Sequence, residues 1–239
     1  MSDDERYRPY KFAGGRIYLD VEESLTMRRR AEGTYEPFKV AALQQLLPAG
    51  GTVVDVGSNK GDFALIAARS MGPEGRVIAI EPEPENCRWI QRSVDLNEYT
   101  NVELHQLALS DVDGEAPLYL GETSGRHALR PGREEQESIM VRTRTLDSLL
   151  EDLGTGPPDM LKIDVEGAEV QVLAGAARTL MGSAPMWVLL DVHPNGGVDP
   201  QAVADTLRAH GFELRRPDHP AEAIAEITPR TKELFALRG

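Results

Sequence analysis

At 239 residues the chain has length for one large core, and dividing it would leave two small ones, so a single domain is expected. A formal charge of -13 at pH 7 and a pI near 4.9 oppose the counterion-displacing Lys and Arg contacts that hold nucleic acids, which argues against a nucleic-acid partner. No run approaches the roughly 20 apolar residues of a membrane span, and the opening Met1-Ser2-Asp3-Asp4-Glu5 is acidic where a secretory leader is basic, so a cytoplasmic protein with no membrane partner is expected.

Up to about Ala31 the pattern is irregular or hairpin-like, and residues 36–47 read as an amphipathic helix stopped by Pro48 and Gly50-Gly51. From Thr52 onward short β-branched runs alternate with helical patterns. The runs are Thr52–Val56, Arg76–Ile80, 102–107, Met160–Ile163 and 186–190, and the helix candidates are 61–70, 84–97, 167–180 and 200–210. That alternation is the signature of an α/β fold, a parallel sheet covered on both faces. The single cysteine, Cys87, lies inside the second of these helices without Cys or closely spaced His partners, and reads as an ordinary helix residue. Between 111 and 144 the alternation breaks. Strand pieces 115–120 and Ser138–Arg144 flank a polar loop, 121–137, that carries Arg126, His127, Arg130 and Arg133; loops this long are usually disordered or functional, and a lid is one expectation. The last segment, with Pro217, Pro220 and Pro229 between 212–215 and Glu233–Arg238, suits a closing antiparallel pair at the sheet edge.

The most informative stretch is Val53-Val54-Asp55-Val56-Gly57-Ser58-Asn59-Lys60-Gly61-Asp62-Phe63. A buried strand runs into a Gly-x-Asn-x-Gly turn and directly into a helix, so backbone can pass close to a ligand while helix N–H groups face its negative end. The dinucleotide fingerprint asks for three glycines, whereas here Asp55 lies in the approach to the turn and Asn59 replaces the middle glycine, which turns the reading away from NAD. About 20 residues past the glycines, the strand Val77-Ile78-Ala79-Ile80 ends in Glu81. A carboxylate there can accept hydrogen bonds from both ribose hydroxyls, and Glu81 is the expected ribose ligand.

Four motifs in order resemble those of the FkbM-family methyltransferases: Asp55-Val56-Gly57-Ser58-Asn59-Lys60-Gly61, Glu81-Pro82-Glu83-Pro84-Glu85-Asn86, Ala108-Leu109-Ser110-Asp111 and Leu161-Lys162-Ile163-Asp164-Val165-Glu166-Gly167-Ala168-Glu169. The match runs from about Tyr35-Glu36-Pro37 to the C-terminus. The resemblance implies a class I methyltransferase Rossmann-like fold, with a seven-stranded, mostly parallel sheet, helices on both faces and an inserted hairpin or lid. S-adenosylmethionine would lie over the carboxyl ends of the strands. Residues 1–48 would form an N-terminal segment and helix capping the active site, and 49–239 the cofactor-binding domain, the two making one structural domain. The resemblance also implies that Asp55, Gly57, Asn59 and Gly61 hold the methionine portion, with Glu36, Ser58 and Asp164 among the cofactor contacts. It puts the ribose on Glu81 and the adenine near Leu107 and Ala108. Lys60 departs from the apolar residue the family carries there, a change expected to alter a local contact without removing the cradle.

Methyl transfer needs an aligned acceptor and a place for its proton, so acids and bases at the ends of the fourth and fifth strands are the catalytic candidates. In Lys162 to Glu169, period-two alternation puts Lys162 and Asp164 on one side of the strand, while Glu166 and Glu169 sit where a helix N-terminus favours negative charge. Leu190-Asp191-Val192-His193-Pro194-Asn195 ends the next strand. His193 is the expected base because an unperturbed imidazole titrates near neutrality, with Asp164 orienting the acceptor; Lys162, Glu166, Glu169 and Arg126 are expected to meet the acceptor. The other route is a divalent ion such as Mg²⁺ held by Asp164, Asp191 and Glu166; the metal-free route is preferred, since carboxylates on separate strand ends bind metal only if they converge. Helix-dipole and capping roles are the structural alternatives for Glu166, Glu169 and His193, and His105, His127, His210 and His219 are expected to be surface or structural. O-methylation of a hydroxyl on a secondary metabolite or sugar is the expected reaction. Its alternatives are N-methylation of an amine, peptide or amino sugar, and a non-catalytic nucleoside-binding protein; a nucleotide-sugar or NAD oxidoreductase is disfavoured because its three-glycine turn is absent. A small-molecule acceptor is the expected partner, with monomer and homodimer both open.

Overall fold

The computed structural model describes residues 3–131, 136–224 and 226–239, so Arg133 lies outside the described residues. A short helix α1 (Asp3–Arg6) leads into a hairpin, β1 (Arg8–Phe12) and β2 (Gly15–Leu19), and then two helices, α2 (Leu25–Ala31) and α3 (Pro37–Leu46). The alternating region follows as β3 (Thr52–Val56), α4 (Asp62–Met71), β4 (Arg76–Ile80), α5 (Pro84–Leu96) and β5 (Val102–His105). A side sheet comprises β6 (Ala108–Leu109), β7 (Gly114–Tyr119) and β8 (Ser138–Arg144). Then come α6 (Leu146–Asp152), β9 (Met160–Ile163), α7 (Glu169–Ala174), α8 (Ala177–Met181), β10 (Met186–Asp191), α9 (Pro200–Ala209), β11 (Glu213–Arg216), β12 (His219–Ala223) and β13 (Glu233–Arg238).

The main sheet runs β12-β11-β13-β10-β9-β3-β4-β5. Strands β10, β9, β3, β4 and β5 are parallel neighbours, and β13 inserts antiparallel between β10 and β11. Strand alternation sorts the buried side chains into two layers. Val54, Val56, Ile78, Ile80, Leu161 and Ile163 pack with Leu149, Leu173 and Leu207 of α6, α7 and α9. Val53, Val77, Ala79 and Met160 face Ile66 and Ile90 of α4 and α5, with Ile17 and Leu19 of the hairpin beyond them. Such helix-covered faces explain why the strands read as continuous apolar runs.

Several expectations are corrected. The main sheet has eight strands, not seven; the extra one, β12, is an edge strand in the Pro-rich stretch, where a missing N–H is tolerated. The strand expected over 102–107 stops at His105, and Ala108 and Leu109 pair with β8 in the side sheet instead. The helix expected over 167–180 is two helices, because the chain breaks at Gly175, where a Cβ would overlap the Ser110 carbonyl oxygen. The second piece has its own cap: Asp147 accepts from the Arg178 and Thr179 N–H groups at 2.8 and 2.9 Å. Helix α3 is not amphipathic as its pattern suggested, since Phe38 is 62% exposed and Lys39 only 3%. Helix α2 went unread; it is capped by Ser24, which accepts from the Met27 N–H. No helix among the described residues is long and apolar enough to cross a membrane.

Candidate active site

The carboxyl ends of β3, β4 and β9 floor a cavity of about 480 Å³, within the roughly 300–1,000 Å³ common for small-molecule sites. Helix α2 with Tyr35 walls one side and residues 123–129 the other. The turn after β3 requires left-handed backbone at Gly57 (φ 76°), Asn59 (φ 51°) and Gly61 (φ 84°). Gly57 is also a close approach, because a Cβ there would overlap the Asp164 carbonyl oxygen at the end of β9.

Of the sequence-predicted residues, Gly57, Asn59, Glu81, Leu107, Ala108, Asp164, Glu166 and Arg126 line this cavity. Glu81 is 5% exposed and accepts from the Asn59 N–H at 2.8 Å, the Glu83 N–H at 3.0 Å and the Asn86 Nδ2 at 3.2 Å. Burial pushes its carboxyl up to about 7, against the pull of those three donors. Leu107, Ala108, Leu118 and Leu129 supply an apolar wall nearby. A cradle without a Cβ, a buried carboxylate with spare lone pairs and an apolar wall together fit a nucleoside bearing ribose hydroxyls.

Other predicted contacts stand behind the cradle, outside the lining. Asp55 is fully buried and ion-paired with Lys162, its cross-strand neighbour, at 3.1 Å. The Lys162 Nζ also donates to the Gly57 carbonyl at 3.0 Å. Lys162 is therefore corrected from an acceptor contact to a strut: burial lowers its proton affinity, and Asp55, Asp164 and Asp191 more than offset that. Ser58 Oγ donates to the Asp55 carbonyl and accepts from the Ile80 N–H, fixing the turn. Gly61 packs on Ile90. Glu36 pairs with Lys39 at 3.2 Å. Cys87 is buried on α5, its Sγ on the Glu81 carbonyl at 3.1 Å.

At the rim, His193 is ringed by carboxylates. Its Nδ1 lies 2.6 Å from Glu169 Oε1, and its Nε2 lies 3.4 Å from Glu166 Oε1 and 3.6 Å from Asp164 Oδ1. Glu169 is fully buried and also accepts from the Gly167 N–H at 3.0 Å; it orients the ring and does not line the cavity. Burial opposes the charged imidazole, but hydrogen bonds to Glu166 and Glu169 outweigh it and raise His193 to about 10. The carboxylates around the ring thus favour its charged form more than the free imidazole's near-neutral titration would suggest. Asp164 shifts down, because the charges of Lys162 and His193 overcome its burial. Asp191, expected beside Asp164 and Glu166 as a metal ligand, is bonded instead to Lys39 at 2.5 Å, with Glu233 on the same ammonium at 3.3 Å.

Sequence reasoning missed Arg30. It is 5% exposed and lines the cavity, and it bonds Asn59 Oδ1 at 3.0 Å, pairs with Asp62 at 3.2 Å and stacks over Tyr35. The available signal was its place one turn after Met27 on the buried face of α2. A second missed contact joins the segment before α2 to the loop wall and to the glycine turn. The Ser124 N–H donates to Glu23 Oε1 at 2.5 Å, and the Ser124 carbonyl accepts from Asn59 Nδ2 at 2.7 Å.

Comparison with known proteins gives this geometry its family. Residues 55–214 match the methyltransferase FkbM domain. The AMB antimetabolite synthetase AmbE of Pseudomonas aeruginosa is 30% identical over 213 residues, covering 71% of this chain and 10% of that protein. Methyltransferase sdnD of Sordaria araneosa is 29% identical over 201 residues, 71% of this chain and 76% of its own. The hexuronic acid methyltransferase AglP of Haloferax volcanii is 29% identical over 158 residues, 64% and 59% of the two chains. The fold resembles that of P. horikoshii TYW2 in complex with MeSAdo (TM-score 0.54, 12% identity, 98% of this chain and 71% of that one). It also resembles the precorrin-6y C5,15-methyltransferase of Geobacter metallireducens (TM-score 0.50, 12% identity, 99% and 95%). The chain spans only 10% of the length of AmbE and 59% of that of AglP; with more than half of its own length matched to the family, it belongs to the FkbM methyltransferase family.

Proposed function

We propose that the chain methylates a hydroxyl on a small molecule, a secondary metabolite or sugar moiety. The observation that carries this is the shared cavity: Asp164 and Glu166, the carboxylates beside His193 Nε2, line the same space as Gly57, Asn59 and Glu81. When bound, S-adenosylmethionine supplies an electrophilic methyl group on a sulfonium. Gly57 and Asn59 would hold its methionine portion, Glu81 its ribose, and Leu107 and Ala108 its adenine. Glu169 holds His193 Nδ1, so a neutral ring offers its Nε2 lone pair toward the acceptor hydroxyl, with Asp164 orienting that hydroxyl. A base raised to about 10 is closer in proton affinity to an alcohol than an ordinary imidazole is. A hydroxyl must surrender its proton as the methyl arrives, and a base beside the cavity supports oxygen as the acceptor atom. Glu166 and Arg126 remain the proposed acceptor contacts. The hexuronic acid activity in the AglP name supports a sugar, and the antimetabolite synthetase name of AmbE supports a secondary metabolite.

A divalent ion is the second reading, favoured because ligand atoms of Asp164, Glu166 and His193 all lie within 4.8 Å of one another. His193 takes the place expected for Asp191, and buried Glu169 on its far nitrogen is the kind of support that metal-bound histidines have. Radiolabelled methyl transfer to matched hydroxyl and amine acceptors tests the main reading, and transfer confined to amines overturns it. EDTA separates the two routes, since only the metal route loses turnover to it.

A further inference from the structure

Lys60 lies outside the cavity lining and is 1% exposed, its side chain against Tyr7 at the start of the N-terminal hairpin. Its Nζ donates to the Tyr7 hydroxyl at 2.7 Å and to Asn86 Oδ1 at 2.7 Å. Tyr7 is itself buried and stacked on Trp89, with ring centroids 4.0 Å apart and planes 11° from parallel. An ammonium only donates, so the Asn86 carboxamide must turn its oxygen to Lys60 and its nitrogen the other way. That nitrogen donates to Glu81 Oε1. A flipped amide would set donor against donor at Lys60 and acceptor against acceptor at Glu81.

We infer that Lys60 and Tyr7 are positioning residues for the cofactor's ribose, holding the Glu81 carboxylate through the Asn86 amide in the orientation that leaves lone pairs facing the cavity. The inference rests on the reading of Glu81 as the ribose ligand. Neither Tyr7 nor Lys60 lines the cavity, yet both set the affinity of what binds there. The N-terminal segment is thereby tied to the cofactor site through side chains it never presents to the ligand.

A double-mutant cycle on the full chain tests this, with S-adenosylhomocysteine as the titrant in calorimetry at one pH. Lys60→Met should weaken binding about tenfold, within the span measured for coupled neighbours. In the Glu81→Gln background the same change should cost less than about twofold, since the group it positions is already gone. Equal losses in both backgrounds, or wild-type affinity in folded Lys60→Met, overturn the inference. Should Lys60→Met not fold, Tyr7→Phe keeps the ring on Trp89, removes one oxygen and runs through the same cycle. Wild-type protein that fails to bind the nucleoside overturns the cofactor reading itself, and Glu81→Gln binding as well as wild type overturns the ribose assignment. A relay failure alone leaves both of those standing.

Discussion

Glu81 carries the most readable chemistry in the site. Replacing it with Gln removes a charged acceptor worth about 1.5–3 kcal/mol per hydrogen bond, so calorimetry should find S-adenosylhomocysteine bound about 10- to 150-fold more weakly. The ionised form is the one that accepts the ribose hydroxyls, and burial raises its pKa to about 7. Affinity should therefore be full above pH 7 and fall as the pH drops below it, by up to about tenfold per unit; a flat profile from pH 8 to 5.5 counts against Glu81 as the ligand. His193 titrates in the opposite sense. The fold holds its proton up to about pH 10, against 6.5 ordinarily, so its contribution to stability is complete below about 6.5 and lost as the pH rises through about 10. The melting-temperature gap between wild type and His193→Gln should close over that window, while turnover through a neutral His193 rises with pH over the same range. Both residues were legible in sequence as strand-end acids and bases. Their titration was not, because it depends on burial and on carboxylates brought in from other strands.

At the scale of elements, two contacts hold the strand ends together. Gly57→Ala would place a methyl group onto the Asp164 carbonyl at a backbone conformation only glycine adopts freely, so the variant should melt well below wild type and lose cofactor affinity with it. Lys39→Met would leave the carboxylates of Glu36, Asp191 and Glu233 facing one another without their shared cation. Breaking a buried pair this way costs about 3–5 kcal/mol, measurable as a lower denaturation midpoint. The strands β3, β4 and β9 and the helices α4, α5 and α9 were readable because apolar runs, glycine turns and proline starts all agree there. The break at Gly175 was not, since nothing near it in sequence reports that Ser110 packs against its backbone. Lys39 misled the pattern in the same way: a lysine reads as solvent-facing until its three carboxylates, from two distant strands and its own helix start, are known.

For the whole molecule, a ligand held between the core and the N-terminal segment should stabilise both. S-adenosylhomocysteine at 100 times its dissociation constant should add about 2.7 kcal/mol, a rise of roughly 5–10 °C in melting temperature for a chain of this size. The doubly covered sheet was evident from the alternation of runs. The wall built by α2 was not, because the partners of the Arg30 guanidinium include Asp62 and Asn59, which lie in a different part of the chain. Ser124 joins the two walls, bonded on one side to Glu23 and on the other to Asn59. Because this one residue bonds both partners, a change at Glu23 is expected to be felt at Asn59 in the cavity lining, so that the floor of the site answers to a carboxylate lying before α2.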